Sequence, residues 1–151
     1  MNTEERFEEI RRVLVDLAEK NGEAPIVVEG ERDVRALRSL GLAGPIVTLH
    51  RGVRVFHLCE RLAAEHREVV ILTDWDVRGG QLAKLLREGL SANGVRYDDE
   101  FRARLAVLCQ KDIKAIENLH QYVERLRPRG DDGRRRVQAN RAWYADRTRR
   151  P

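Results

Sequence analysis

The sequence predicts an α/β protein, with a mostly parallel four-stranded central sheet and helices on both faces. Three observations carry that reading. Short unbroken runs of Val, Ile and Leu alternate along the chain with stretches of helical period. Strands that are apolar on both sides belong in a sheet covered on both faces, and such sheets are mostly parallel. Acidic residues and glycines follow two of these runs directly, where parallel α/β sheets present their ligand crevices.

The elements follow in order. Residues 3–20 predict an amphipathic helix, because Phe7, Ile10, Leu14 and Leu17 recur at helical spacing. Glu4 and Glu5 suit the positive end of its dipole. "IVVEG" is a first strand, apolar until Glu29, and "ERDVRALRSLG" a short helix closed by Gly41. "GPIVTLHRG" supplies a second strand and loop. Val55, Phe56, Leu58, Cys59 and Leu62 mark a helix to about His66. "EVVILTD" is the third strand, and "GQLAKLLREGLSANG" a helix ending at Gly94. "YDDE" at 97–100 reads as a solvated loop and "ARLAVLC" as the fourth strand. Ile113, Ile116, Leu119, Tyr122, Val123 and Leu126 predict a last amphipathic helix. The expected division is an N-terminal helix over 1–24 packing on a domain over 25–126, then a basic arm over 127–151.

Composition excludes several classes. The 151 residues suit one domain, long enough to bury about two-thirds of the unfolded surface. With 36% charged residues, no apolar run approaches the ~20 residues of a membrane span. "MNTEERFEEIRR" is charged throughout and has no signal-peptide core. Cys59 and Cys109 stand in apolar surroundings without CxxC spacing, which predicts reduced structural thiols and a cytoplasmic protein. The charge is uneven. Residues 127–151 hold nine arginines against three aspartates, a net of +6, and the rest of the chain holds 20 basic and 22 acidic residues. A basic arm is a footprint for polyanions such as nucleic acid; a solvated, solubilising tail is the other reading.

The chemistry gathers at the strand ends. Glu29 ends the first strand, and Asp74 and Asp76 follow the third. If those strands are neighbours, the three acids share one crevice. Two aspartates at i and i+2 past a strand can face one cation. Mg²⁺ is usually held by one or two carboxylates together with water and substrate phosphates. Gly30, Gly79 and Gly80 lack Cβ atoms, so a phosphate backbone can come close. Arg78 and Lys84 flank the motif; Arg78 is a phosphate candidate, and Lys84 reads better as a surface cation. Lys111 and Asp112 are secondary candidates, placed after the expected fourth strand. His50 and Arg51 follow the second strand and so could face the crevice. His57, His66 and His120 show no metal-ligand spacing. There is no GxxxxGK[ST] phosphate loop.

"IVVEGERD", a strand ending in Glu-Gly, and "ILTDWDVRGG", Asp-x-Asp-x-x-Gly after a hydrophobic strand, resemble the two motifs of the Toprim domain. That Rossmann-like domain is shared by topoisomerases, bacterial-type primases, OLD-family nucleases, recombination-mediator proteins and the maturase of 5S ribosomal RNA. "VEGERDVRAL" looks most like the maturase and primase branches. The resemblance spans roughly residues 25–126. It implies Glu29 as general acid or base, Asp74 and Asp76 as ligands of Mg²⁺ (with Mn²⁺ as a substitute), and Gly30 and Gly79 as the motif glycines. It also implies a site role for Asp33. Trp75 departs from the pattern, since small residues or proline are common there. It reads as a packing tryptophan or as a stacking surface for a base.

The resemblance implies metal-dependent phosphodiester chemistry, most simply a nuclease acting on RNA or DNA, in RNA processing for the maturase branch. Nucleic acid is the expected partner, with a protein partner supplying specificity as a further option. A strand-passing topoisomerase is disfavoured, because Tyr97, Tyr122 and Tyr144 have no second domain around them. A complete primase lacks its template-handling domains. Two other classes stay open: a non-catalytic nucleic-acid-binding or partner module, and an aspartyl-phosphate phosphatase using Asp74 as nucleophile and Asp76 as acid/base. The phosphatase leaves Glu29 without a role.

Overall fold

The computed structural model describes residues 1–49, 54–109 and 111–129. The arm beyond residue 129, with Tyr144, lies outside the described residues, as do His50 and Arg51. The element order is α1 (Thr3–Asn21), β1 (Ile26–Val28), α2 (Glu31–Ser39), β2 (Ile46–Thr48), α3 (Val55–Glu65), β3 (Glu68–Ile71), α4 (Val77–Ala92), β4 (Arg96–Asp98), α5 (Glu100–Cys109), a 3₁₀ turn (Ile116–Asn118) and α6 (Leu119–Leu126). All four strands are parallel, in the order β2-β1-β3-β4. The chain leaves β1 toward one edge of the sheet and returns to build β3 and β4 on the other side. The strand order reverses between β1 and β3, the position where open α/β sheets bind ligands.

The pleat sorts the strand residues into two cores. Ile26, Val28, Val70 and Leu72 face one side, where they pack with Ile10, Leu14 and Leu17 of α1, Leu37 of α2, Leu105 of α5 and Leu119 of α6. Val27, Val69 and Ile71 face the other, with Leu58 and Leu62 of α3 and Ala83, Leu86 and Leu90 of α4. Both faces of β1 and β3 are therefore dry, as their unbroken apolar sequence requires. Cys59 and Cys109 are free and buried in opposite cores, so they cannot pair.

Local signals account for the helix ends. Asn2 caps α1 by accepting the Glu5 N–H at 2.8 Å. Beyond α2 and α4, Gly41 and Gly94 adopt φ of 91° and 73°. The N–H groups of Leu42 and Val95 then reach back to the carbonyls of Leu37 and Leu90, which only a left-handed residue permits without strain.

Two expectations are overturned. "ARLAVLC" is not the fourth strand but part of helix α5. Phe101, Leu105 and Cys109 are buried at i, i+4 and i+8, while Val107 is 72% exposed. A strand would have buried Val107 with its neighbours two places away. The fourth strand is instead Arg96–Asp98, overlapping the stretch expected as a loop. It is a short edge strand whose residues are exposed or half-buried, so it carries no apolar signal. The last helix also starts later than its apolar spacing suggests, because residues 113–116 lend backbone groups to the strand end described next. Among the described residues, no helix is long and apolar enough to cross a membrane.

Candidate active site

β1 and β3 are direct neighbours, with Ile26 beside Val70 and Val27 beside Ile71. Their ends therefore bring Glu29 and Asp74 together. The Asp74 backbone N–H donates to Glu29 Oε2 at 2.8 Å. Asp74 Oδ1 accepts the Ile116 N–H at 2.9 Å. Asp76 caps α4 by accepting the Gly79 N–H at 2.7 Å. Asp33, buried in the first turn of α2, accepts the Gly30 N–H at 3.1 Å. Each carboxylate thus spends one oxygen on a backbone donor that orients it. The second oxygens of Glu29, Asp74 and Asp76 take no hydrogen bond or ion pair among the described residues.

The charges are close enough to feel one another. Burial pushes the Asp74 carboxyl up from the ordinary 3.8 to about 7, against the Ile116 hydrogen bond, and the negative charges of Glu29, Asp33 and Asp76 add to the rise. Burial also raises the Asp33 carboxyl, with Glu29 and Glu117 contributing. The helices α2 and α4 both begin at this crevice, so their positive ends partly offset the crowding.

The donor set suits a hard cation. Carboxylate oxygens held by backbone groups, in a pocket of excess negative charge, are what Mg²⁺ or Mn²⁺ prefers. Among the described residues, no three His, Cys, Asp or Glu side chains form a ready-made cage. An ion here would complete its shell with water and substrate oxygens, the usual arrangement for Mg²⁺.

The glycines divide by role. A Cβ on Gly79 would lie 1.8 Å from the Asp74 carbonyl oxygen, so this glycine lets α4 close against the strand end. Thr73 reinforces the closure by donating its hydroxyl to the Gly79 carbonyl at 2.8 Å. Gly80 meets only ordinary contact, with Arg102 Nη2 at 3.8 Å, and Gly30 faces open space. Arg78 is exposed on the first turn of α4. Trp75 packs half-buried against the α1/α5/α6 core, its Nε1–H donating to the Ile113 carbonyl at 2.7 Å and its backbone N–H to Lys114 at 2.9 Å. The packing reading of Trp75 accounts for these contacts.

Lys111 and Asp112 lose the premise that made them candidates, because they follow a helix and not a strand. Asp112 accepts from Arg6 at 3.2 Å and from the Tyr122 hydroxyl at 2.6 Å, a link that ties α1 and α6 to the loop after α5. Sequence reasoning missed Arg102. Its guanidinium donates to the carbonyls of Thr73, at 3.1 Å, and Asp74, at 2.8 Å. No local signal marks it, since its place depends on α5 crossing behind β3. The Ile116 N–H was equally invisible.

A parallel sheet with Glu-Gly after one central strand and Asp-x-Asp-x-x-Gly after its neighbour defines a class. The Toprim domain profile matches residues 24–108, and the chain belongs to that family. A UPF0292 protein of Methanosarcina barkeri is 41% identical over 124 residues, covering 81% of this chain and 85% of the relative. A UPF0292 protein of Methanocaldococcus jannaschii is 32% identical, covering 83% of this chain and 98% of its own. A solved Aquifex aeolicus protein shares the fold with a TM-score of 0.62 and 28% identity, over 72% of this chain and 95% of that one. Within the Toprim family, this chain thus groups with the UPF0292 proteins.

Proposed function

We propose that the protein cleaves nucleic-acid phosphodiester bonds with the help of Mg²⁺, as a small nuclease. The observation that carries this reading is the junction of the two strand ends, where the Asp74 N–H holds Glu29 at 2.8 Å. A proton-transfer group is thereby fixed beside the aspartate pair, while its second oxygen stays available. Asp74 and Asp76 would hold the ion, which when bound neutralises phosphate charge. Glu29 would move a proton, activating water or assisting the leaving oxygen. Asp33 fixes the Gly30 backbone at the mouth of the crevice, and the bare Cα of Gly30 leaves room for a phosphate. Arg102 holds the two carbonyls at the strand end and so sets where Asp74 points. The nearness of "VEGERDVRAL" to the maturase and primase branches favours RNA as the first substrate to try. The basic arm would add non-specific hold on the backbone, and a partner protein could supply specificity.

Glu29→Gln tests the reading. A glutamine keeps an acceptor for the Asp74 N–H but cannot exchange a proton at neutral pH. Single-turnover cleavage should fall by about 10²–10⁴-fold, with nucleic-acid binding and most metal affinity kept. Cleavage at the wild-type rate would refute the general acid/base role. A collapse of metal affinity would move Glu29 into the coordination shell.

A further inference from the structure

A groove of about 390 Å³ opens between α2 and the 3₁₀ turn leading into α6. Arg32, Arg35 and Ser39 line one wall; Glu117, His120 and Gln121 line the other. Both walls start at the acidic crevice. Helix α2 begins with Gly30 and Asp33, and the 3₁₀ turn begins with Ile116, whose N–H holds Asp74. Glu117 marks the near end, since it follows Ile116 directly in the 3₁₀ turn. From there Arg32, Arg35 and Ser39 form one stripe along the helix, at spacings of three and four.

The arginines of α2 are not equivalent. Arg38 is spent on structure, donating to the carbonyls of Leu42 at 2.9 Å and Gly44 at 2.7 Å. Arg32 and Arg35 are exposed, and neither has a hydrogen-bond or ion-pair partner among the described residues. Two guanidiniums that line a polar groove without a partner among the described residues, with the side chains of His120 and Gln121 on the opposite wall, match a chain of phosphates. From Arg32 to Ser39 the helix rises ~10 Å, which is about three stacked nucleotide steps at ~3.4 Å each.

We propose that this groove carries the phosphodiester backbone of a nucleic-acid strand into the acidic crevice, with Arg32 and Arg35 each gripping a phosphate. The proposal rests on the nuclease reading above and names the path the substrate takes. Glu117 acts as a guard at the crevice end, repelling backbone that approaches without a neutralising cation.

The test uses the full chain and labelled single-stranded RNA and DNA of one sequence, with binding followed by fluorescence anisotropy across a salt series. The double variant Arg32→Gln/Arg35→Gln should bind more weakly. Its slope of log affinity against log salt should be shallower by about 1.4, since each lost phosphate contact on a single strand removes about 0.7. Glu117→Gln should shift affinity the opposite way, tightening binding without metal. These side chains are solvent-facing, and matched thermal melts confirm the fold. If wild type binds and both variants match it in affinity and slope, the groove is not the path, while the nuclease reading survives. If wild type binds neither RNA nor DNA, both readings fall. If an oligo-aspartate peptide, and neither nucleic acid, loses affinity in the double variant, the groove serves an acidic protein segment and the proposal is wrong. Equal losses for RNA and DNA support a backbone contact common to both; a larger loss for one identifies that polymer as the strand held.

Discussion

Asp74→Asn isolates the energetic cost of the acidic crevice. The wild-type carboxyl is raised from 3.8 to about 7 by burial and by Glu29, Asp33 and Asp76. Between those pH values the folded chain binds a proton at this position that the unfolded chain has already lost. Stability without metal therefore falls as pH rises through this window, and above about pH 7 the full penalty is present. A shift of about three units sets a ceiling of ~4 kcal/mol. Asp74 is only partly withdrawn from solvent, so screening reduces this to about 1–2 kcal/mol. Asparagine keeps an oxygen for the Ile116 N–H and carries no charge to repel. In chelator, urea unfolding should find the variant equal to wild type near pH 4 and more stable by about 1–2 kcal/mol near pH 8. Added Mg²⁺ or Mn²⁺ should then stabilise wild type strongly and the variant weakly, with apparent affinity for wild type rising through about pH 7 as the competing proton leaves. A gap that stays constant from about pH 5 to about pH 8 would show that the Asp74 carboxyl is not raised in the folded protein. Equal metal stabilisation of both proteins would remove Asp74 from the ligand set.

Other perturbations separate neighbouring roles. Gly79→Ala sets a Cβ against the backbone oxygen of Asp74, at 1.8 Å in the present geometry, and neither atom can swing aside. It should cost at least about 1–3 kcal/mol in urea melts. Gly80→Ala, one residue on, meets only ordinary contact and should be neutral or stabilising by about 0.5–1 kcal/mol as a helix substitution; equal effects at the two positions would refute the close-packing account. Deleting residues 128–151 removes eight of the nine C-terminal arginines and should weaken nucleic-acid binding across sequences and flatten its salt dependence. An unchanged slope in that truncation leaves the arm a solubilising element.

The sequence by itself determined the layered α/β plan and the first three strands, because apolar runs buried on both faces have no other soluble home. It placed Glu29, Asp74 and Asp76 at strand ends, since local pattern locates the ends of such runs. Gly41 and Gly94 were legible as helix stops, because a left-handed residue after a helix is a local requirement met by one residue type. The tertiary structure decided the rest. Whether "ARLAVLC" was strand or helix turned on which side of Val107 met the core, and a short apolar run fits both periods. Strand β4 was silent, because an edge strand needs only backbone partners and its side chains can stay polar. The adjacency of β1 and β3 makes one site of three separated acids, and it is a fact of strand order that no residue encodes alone. Arg102 and the Ile116 N–H reach Asp74 across 28 and 42 residues of chain. Contacts of that kind leave no periodic trace, since they depend on where whole helices come to rest. The groove between α2 and α6 arises in the same way, from two polar helix faces that only packing sets opposite each other.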